Sequence, residues 1–165
     1  MQDDNSKISI LFICLGNICR SPMAETVFNK ILEKNDCSSE FKIDSAGLLD
    51  YHEGEKADPR MRSHAEKRGY NVTHRSRPIT KKDLVEFDYI IGMDDQNIRQ
   101  LLRLAKTPDI QSKIHKMTLY NRDIKADNVP DPYYGGDKGF EYVIDLLEDA
   151  CKGLFDYVKN RPSRW

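Results

Sequence analysis

The stretch Ile8-Ser-Ile-Leu-Phe-Ile-Cys14 is apolar or β-branched at nearly every position, not at alternate ones. A short run of this kind fits a central strand covered on both faces, the type found in parallel sheets. The next residues narrow the choice further. Leu15-Gly-Asn-Ile-Cys-Arg20 is a short loop with a glycine, and Ser21-Pro22 reads as an N-cap and a residue suited to the first helical position. Met23, Ala24, Val27, Phe28, Ile31 and Leu32 then share one helical face.

The same alternation continues along the chain. A second short strand is expected over 41–45, then a long polar and aromatic loop over 45–58. Asp58-Pro59 opens another helix that Gly69 closes. A third strand spans 87–93, and Asp94 or Asp95 caps the helix carrying Ile98, Leu101 and Leu102. A fourth strand is expected over 114–119. The segment Asp127-Asn-Val-Pro-Asp-Pro-Tyr-Tyr-Gly-Gly136 cannot be helical, since its prolines remove amide donors and restrict the residues before them. Phe140, Val143, Ile144, Leu147, Cys151, Leu154, Phe155 and Val158 then form a long helical stripe. Strands alternating with helices indicate an α/β domain with a parallel sheet, whose ligands bind beyond the carboxyl ends of the strands. Cys14 stands at the first of those ends.

No repeat or linker divides the 165 residues, so a single domain over 1–165 is expected, with 1–6 as a flexible N-terminus. Basic and acidic side chains number 26 and 27, which argues against a polycationic nucleic-acid binder but leaves room for a local anion site. The longest apolar stretch falls far short of the ~20 residues of a membrane helix. It comes after Asp3 and Asp4 rather than a basic region, so it does not read as an export signal. Four cysteines in such a chain are expected as thiols, in a cytoplasmic protein.

The loop from Cys14 to Ser21 carries the chemistry. A strand end, a turn at Gly16 and a helix start aim successive backbone N–H groups and the positive helix end into one concavity, an anion site. There the amides, the dipole and Arg20 favour thiolate over thiol at Cys14. Arg20 offers a planar fork matched to two phosphoryl oxygens, in the ground state and in the transition state. The chemistry implied is nucleophilic attack by sulfur on phosphorus, with no metal and no cofactor called for. The leaving oxygen needs a proton. Asp131, rigid between Pro130 and Pro132, is the candidate, because a neighbouring anion favours its protonated form.

Along nearly its whole length the chain resembles the low-molecular-weight protein tyrosine phosphatases. The resemblance is carried in order by Cys14 to Pro22, Asp44-Ser-Ala-Gly47, Ser76-Arg-Pro-Ile-Thr80, Phe87-Asp-Tyr89 with Met93-Asp94, and Asp131-Pro-Tyr-Tyr-Gly135. It implies a three-layer, flavodoxin-like fold with a four-stranded parallel sheet and helices on both faces. It implies Cys14 as nucleophile, Arg20 as phosphate-binding and transition-state residue, and Asp131 as general acid/base. The phosphate-binding loop would be Leu15, Gly16, Asn17, Ile18, Cys19, Arg20 and Ser21. Asn17, Ser45 and His74 would shape it, and the Ser21 hydroxyl would assist the leaving thiolate. Tyr51 and Tyr133 would wall the substrate slot, beside Tyr134. Cys19 would be the redox partner of Cys14. Tyrosine-phosphorylated proteins are the implied substrates, with inorganic phosphate or oxyanion inhibitors in the loop and a monomer as the assembly. Ile18 resembles the tyrosine-directed members, whereas phosphoarginine-directed relatives tend to carry threonine there. Pro130 and Gly92 depart from residues common in the family, and the loop around Tyr51 is variable in it, so substrate preference does not carry over.

Plainer readings stand beside these. Cys151, on the apolar stripe, reads as a core thiol, and Cys19 as packing as well as redox partner. His74 reads as scaffold, and His52, His64 and His115 as solvated or structural. Lys81-Lys82 reads as a solvated face and Asp94-Asp95 as a helix cap. Two rival functions fit the residues less well. A thiol-dependent arsenate reductase needs relay cysteines, and none lies between Cys37 and Cys151. A phosphotyrosine-binding module without catalysis would have no use for Cys14, Arg20 and Asp131 together.

Overall fold

The computed structural model describes residues 6–132 and 136–161. Its sheet has four parallel strands in the order β2-β1-β3-β4, with β1 at Ile8–Cys14, β2 at Phe41–Gly47, β3 at Tyr89–Gly92 and β4 at Ile114–Lys116. The helices are α1 Arg20–Lys34, α2 Pro59–Lys67, α3 Lys81–Glu86, α4 Asp95–Leu104, α5 Pro108–Gln111 and α6 Gly136–Lys159. The central position of β1 explains its unbroken apolar run, because Ser9 to Cys14 are all buried. Alternate side chains enter two different layers. Ile10 and Phe12 pack with Phe28 of α1 and with Phe140, Val143 and Leu147 of α6. Leu11 and Ile13 pack with Leu84 of α3 and Leu101 of α4. Helices therefore cover both faces, as expected.

The strand order reverses direction between β1 and β3, and the crevice beyond their carboxyl ends is where such sheets bind ligands. Ile13 lies opposite Gly92, so Cys14 and the Met93-Asp94 pair leave the sheet side by side.

Several boundaries differ from the sequence-based expectation. Helix α1 begins at Arg20, with Cys19 in the cap position and no side-chain cap. Ser21 is thus inside the helix and Pro22 is its third residue, where the proline still removes only an amide that a first turn leaves unbonded. Strand β2 runs on to Gly47 because Gly47 pairs with Cys14. Strands β3 and β4 are shorter than expected, and β4 passes into a 3₁₀ turn over Met117–Tyr120. The short α3 stands where no helix was expected, although Thr80 and Asp83 form a complete capping box there. Lys81 and Lys82 on it are exposed, in keeping with a solvated face.

Other expectations hold. Asp58 caps α2, Gly69 ends it with φ of +85°, and Asp94 caps α4. Cys151 is fully buried, its thiol 3.6 Å from the Ala24 carbonyl oxygen. Of the terminus expected to be flexible, only Ser6 lies within the described residues, and it is exposed. No helix among the described residues is long and apolar enough to cross a membrane.

Candidate active site

Beyond the end of β1 the loop 15–19 curls around a cavity of about 330 Å³. Cys14, Ile18, Cys19 and Arg20 line it from below, and Leu49, Tyr51, His52 and Asp131 form its rim. Cys14 and Cys19 are both buried free thiols. Burial first, then the Asp58 carboxylate and the Cys14 sulfur, push the Cys19 thiol well above the ordinary cysteine range, so Cys19 stays protonated.

Asn17 is the keystone of the loop. It is fully buried and takes a left-handed backbone, with φ of 56°. That conformation is costly for a residue with a Cβ, although asparagine tolerates it better than most. The side chain holds it in place. Asn17 Nδ2 donates to Ser21 Oγ at 2.8 Å and Ser45 Oγ at 3.1 Å. Asn17 Oδ1 accepts from the Arg77 amide at 3.0 Å and pairs with His74 Nε2 at 2.8 Å. Since Oδ1 can only accept, His74 donates from Nε2. The Asn17–Ser45–His74 network is therefore present, with Arg77 as a further member.

The Ser21 hydroxyl lies 3.0 Å from Cys14 Sγ. Because its oxygen already accepts from Asn17, its proton is left pointing at the sulfur, the arrangement that stabilises a thiolate. This use of Ser21 explains why it is not a helix cap. Below the loop, Ser76 Oγ donates to the Gly16 carbonyl at 3.0 Å. Gly47 keeps this corner close-packed, since a Cβ there would come within 3.0–3.1 Å of Asn17 Cβ and the Leu15 and Leu49 carbonyl oxygens and would press on the loop.

Arg20 is nearly buried, at 4% side-chain exposure. One corner of its guanidinium is fixed, as Nη1 donates to Asp94 Oδ2 at 2.6 Å and to the Val129 carbonyl at 3.0 Å. Although burial opposes its charge, Cys14, Asp94 and Asp131 together hold it above the ordinary arginine range. Asp131 Oδ2 lies 4.0 Å from Nη2, with its side chain 44% exposed at the rim. The three expected catalytic residues thus converge on one cavity.

Tyr51 stands at the rim, 82% exposed. The expected roles of Tyr133 and Tyr134 fall outside the described residues. His52 is more than a solvated histidine. It covers the loop, its ring 3.2 Å from where a Cβ on Gly16 would sit, and Glu55 holds Nδ1 at 2.6 Å. Of the two expected readings of His64, solvated or structural, burial against α6 removes the first.

Sequence reasoning missed Asp94, Leu49 and Glu25 as members of the site. Asp94 does cap α4, but its second oxygen holds Arg20. The available signal was its place at the end of β3, beside the end of β1. Glu25 accepts from Ser45 Oγ at 2.7 Å and lies 3.2 Å from His74 Nδ1. Burial raises its carboxyl to about 7, and burial also lowers the His74 imidazole below its ordinary value. Ligand atoms of Glu25, Asp44 and His74 come within 4.8 Å of one another, a spacing a cation could use. Their bonds assign them otherwise. Arg77 sits on Asp44 at 3.0 Å, and His74 and Glu25 are bonded to Asn17 and Ser45, so the trio braces the loop from behind.

Comparison with known proteins places the chain in a family. Residues 9–163 match the family model for low molecular weight phosphotyrosine protein phosphatase. A putative low molecular weight protein-tyrosine-phosphatase of Synechocystis is 44% identical over 89% of this chain and 94% of its own. The low molecular weight phosphotyrosine protein phosphatase of Sus scrofa is 40% identical over 92% and 96%. The crystal structure of a protein tyrosine phosphatase from Entamoeba histolytica superposes with a TM-score of 0.90, at 46% identity, covering 93% of this chain and 97% of its own. With matches that span nearly the full chain and a sheet of the same topology beneath the site, the chain belongs to the low molecular weight phosphotyrosine protein phosphatases, a family of hydrolases.

Proposed function

We propose that this protein hydrolyses phosphotyrosine in proteins, and small aryl phosphates, through a cysteinyl-phosphate intermediate. The observation that carries the reading is the convergence of Cys14, Arg20 and Asp131 on one cavity at the head of α1. The phosphoryl group enters over the loop amides. The Nε and Nη2 edge of Arg20, opposite the corner held by Asp94 and Val129, takes two of its oxygens.

Cys14 Sγ attacks phosphorus, forming the S–P bond as the bond to the phenolic oxygen breaks. Asp131 gives its proton to the departing oxygen. Water then attacks phosphorus and yields a proton to the Asp131 carboxylate, while the S–P bond breaks and inorganic phosphate leaves. The Ser21 hydroxyl stabilises the thiolate that departs. Tyr51 and Ile18 provide the apolar contact for a phenyl ring, which fits tyrosine better than an aliphatic ester. The protein acts as a monomer in the cytoplasm, and inorganic phosphate and related oxyanions compete for the loop.

Redox control accompanies this chemistry. Peroxide converts the Cys14 thiolate to a sulfenic acid, and Cys19 sulfur displaces water from it to give a disulfide that a dithiol reduces. The raised Cys19 thiol makes the second step slow, because the thiolate is the attacking form. Cys19→Ser should stay active yet lose recovery after peroxide. Full recovery of that variant refutes the pairing.

The deciding experiment is turnover of p-nitrophenyl phosphate at mildly acidic pH in the presence of chelator, with Cys14→Ser as control. Metal-independent hydrolysis that Cys14→Ser abolishes is expected. Absence of turnover in the native protein would leave only a binding module.

A further inference from the structure

The first turn of α2 is tied to the phosphate loop, and the first turn of α6 lies beside Pro132, the neighbour of Asp131. The Asp58 amide donates to the Ile18 carbonyl at 2.8 Å. The Asp58 carboxylate holds the Arg60 guanidinium at 3.0 and 3.2 Å, and Arg60 lies 4.9 Å from the centroid of the fully buried Phe140 ring. One helical turn after Arg60, the His64 ring stacks on Phe140, with centroids 5.5 Å apart and planes within 5°. Each ring nitrogen of His64 faces a carboxylate of α6, Nδ1 that of Glu141 and Nε2 that of Asp137 at 3.2 Å. The other oxygen of Glu141 is held by Arg68 at 2.8 Å. Beside Phe140, a Cβ at Gly139 would lie 3.8 Å from Pro132, the residue next to Asp131.

We infer that His64, clamped to Phe140, Asp137 and Glu141, is a positioning residue that sets where Asp131 stands relative to Cys14 and Arg20. Sequence does not connect these groups, since Asp131 comes more than a hundred residues after Cys14. Val129, bonded to Arg20 and to the Met93 carbonyl, anchors the acid loop on one side, and the docking of α2 on α6 bears on it from the other. A buried ring with both nitrogens engaged and one face stacked resists both sliding and rotation of that contact. General acid catalysis is sensitive to such shifts, because a donor must lie within hydrogen-bond reach of the leaving oxygen.

This inference rests on Asp131 being the acid, and the test separates the two. The readout is kcat/KM, which includes every step through expulsion of the leaving group, for phenyl phosphate against p-nitrophenyl phosphate. Phenol, with a pKa near 10, needs the proton, whereas p-nitrophenol is a much stronger acid and needs it less. Asp131→Asn should depress the phenyl-to-nitrophenyl ratio strongly. His64→Leu keeps an apolar side chain against Phe140 and loses both carboxylates, and should depress the ratio in the same sense by about tenfold. Combined with Asp131→Asn it should depress it no further, as expected of residues acting through one group. Should His64→Leu fold poorly, Asp137→Asn with Glu141→Gln weakens the same contacts from surface side chains, and a smaller drop in the ratio is expected. A purely structural His64 would lower the melting temperature and both activities alike, with the ratio unchanged. That result, alongside a depressed ratio in Asp131→Asn, overturns the positioning role and leaves Asp131 standing. An unchanged ratio in Asp131→Asn overturns both.

Discussion

Replacing Asn17 with alanine tests how the phosphate loop is held. Four hydrogen bonds would be lost, to Ser21, Ser45, His74 and the Arg77 amide. A buried hydrogen bond contributes about 1 kcal/mol net, so their simple sum is about 4 kcal/mol. Alanine would also have to adopt φ of 56° without a local polar partner, adding roughly 1 kcal/mol. The four bonds share one side chain and neighbouring partners, and water can enter the vacated space, so the sum is an upper bound. A loss of about 3–4 kcal/mol is expected, read as a shift in urea midpoint with unchanged slope. Asn17→Gly supplies the internal control. It loses the same bonds but adopts the left-handed backbone freely, at the cost of greater unfolded-state entropy. It should therefore be more stable than Asn17→Ala by roughly 0.5–1 kcal/mol. Turnover should collapse in both, since loop amides and Ser21 lose their common anchor. A loss below about 1 kcal/mol in Asn17→Ala, or equal stability of the two variants, would refute the account.

Cys14→Ser should lose turnover while still binding vanadate or phosphate, measured by equilibrium titration, because the loop and Arg20 remain and a neutral hydroxyl is a far poorer nucleophile. Arg20→Lys should fall well over tenfold in kcat/KM, since a point charge cannot keep Asp94 and grip two phosphoryl oxygens; a variant within tenfold limits the lost transition-state stabilisation to about 1.4 kcal/mol. Gly153→Ala should lower the melting temperature sharply, as its Cβ would collide with the Tyr120 carbonyl oxygen and the backbone would have to move. Burial raises the Glu25 carboxyl from about 4.5 to about 7, so the folded state holds this proton more tightly than the unfolded one and stability falls as pH rises through that window, by about 3 kcal/mol at most. Glu25→Gln should flatten that part of the pH profile in urea titrations at pH 5 and pH 8, and an identical difference in the native protein and the variant counts against it.

What could be read from the sequence divides along physical lines. The sheet's core strand was legible because burial on two faces leaves a run of apolar residues, and the helices around it because one buried face leaves a period. Cys14 and Arg20 were legible because one tight loop between a strand and a helix must supply both, whereas the role of Asn17 came only from the family resemblance. The start of α1 was misplaced because Ser21 satisfies two demands by type alone, a helix cap and a hydrogen-bond partner for sulfur, and only the loop's curvature decides for the second. Asp94 is the reverse case. Its capping bond to Asn97 already accounted for an aspartate at that position, so only its place at the end of β3 pointed to another partner. The second carboxylate oxygen meets Arg20 because parallel pairing sets Gly92 opposite Ile13 and brings the end of β3 beside the loop that leaves β1. Residues that act through such cross-strand register carry the signature of their local role alone. Their second role becomes visible only when the sheet is assembled, and the same holds for His64, whose partners lie more than seventy residues away on α6.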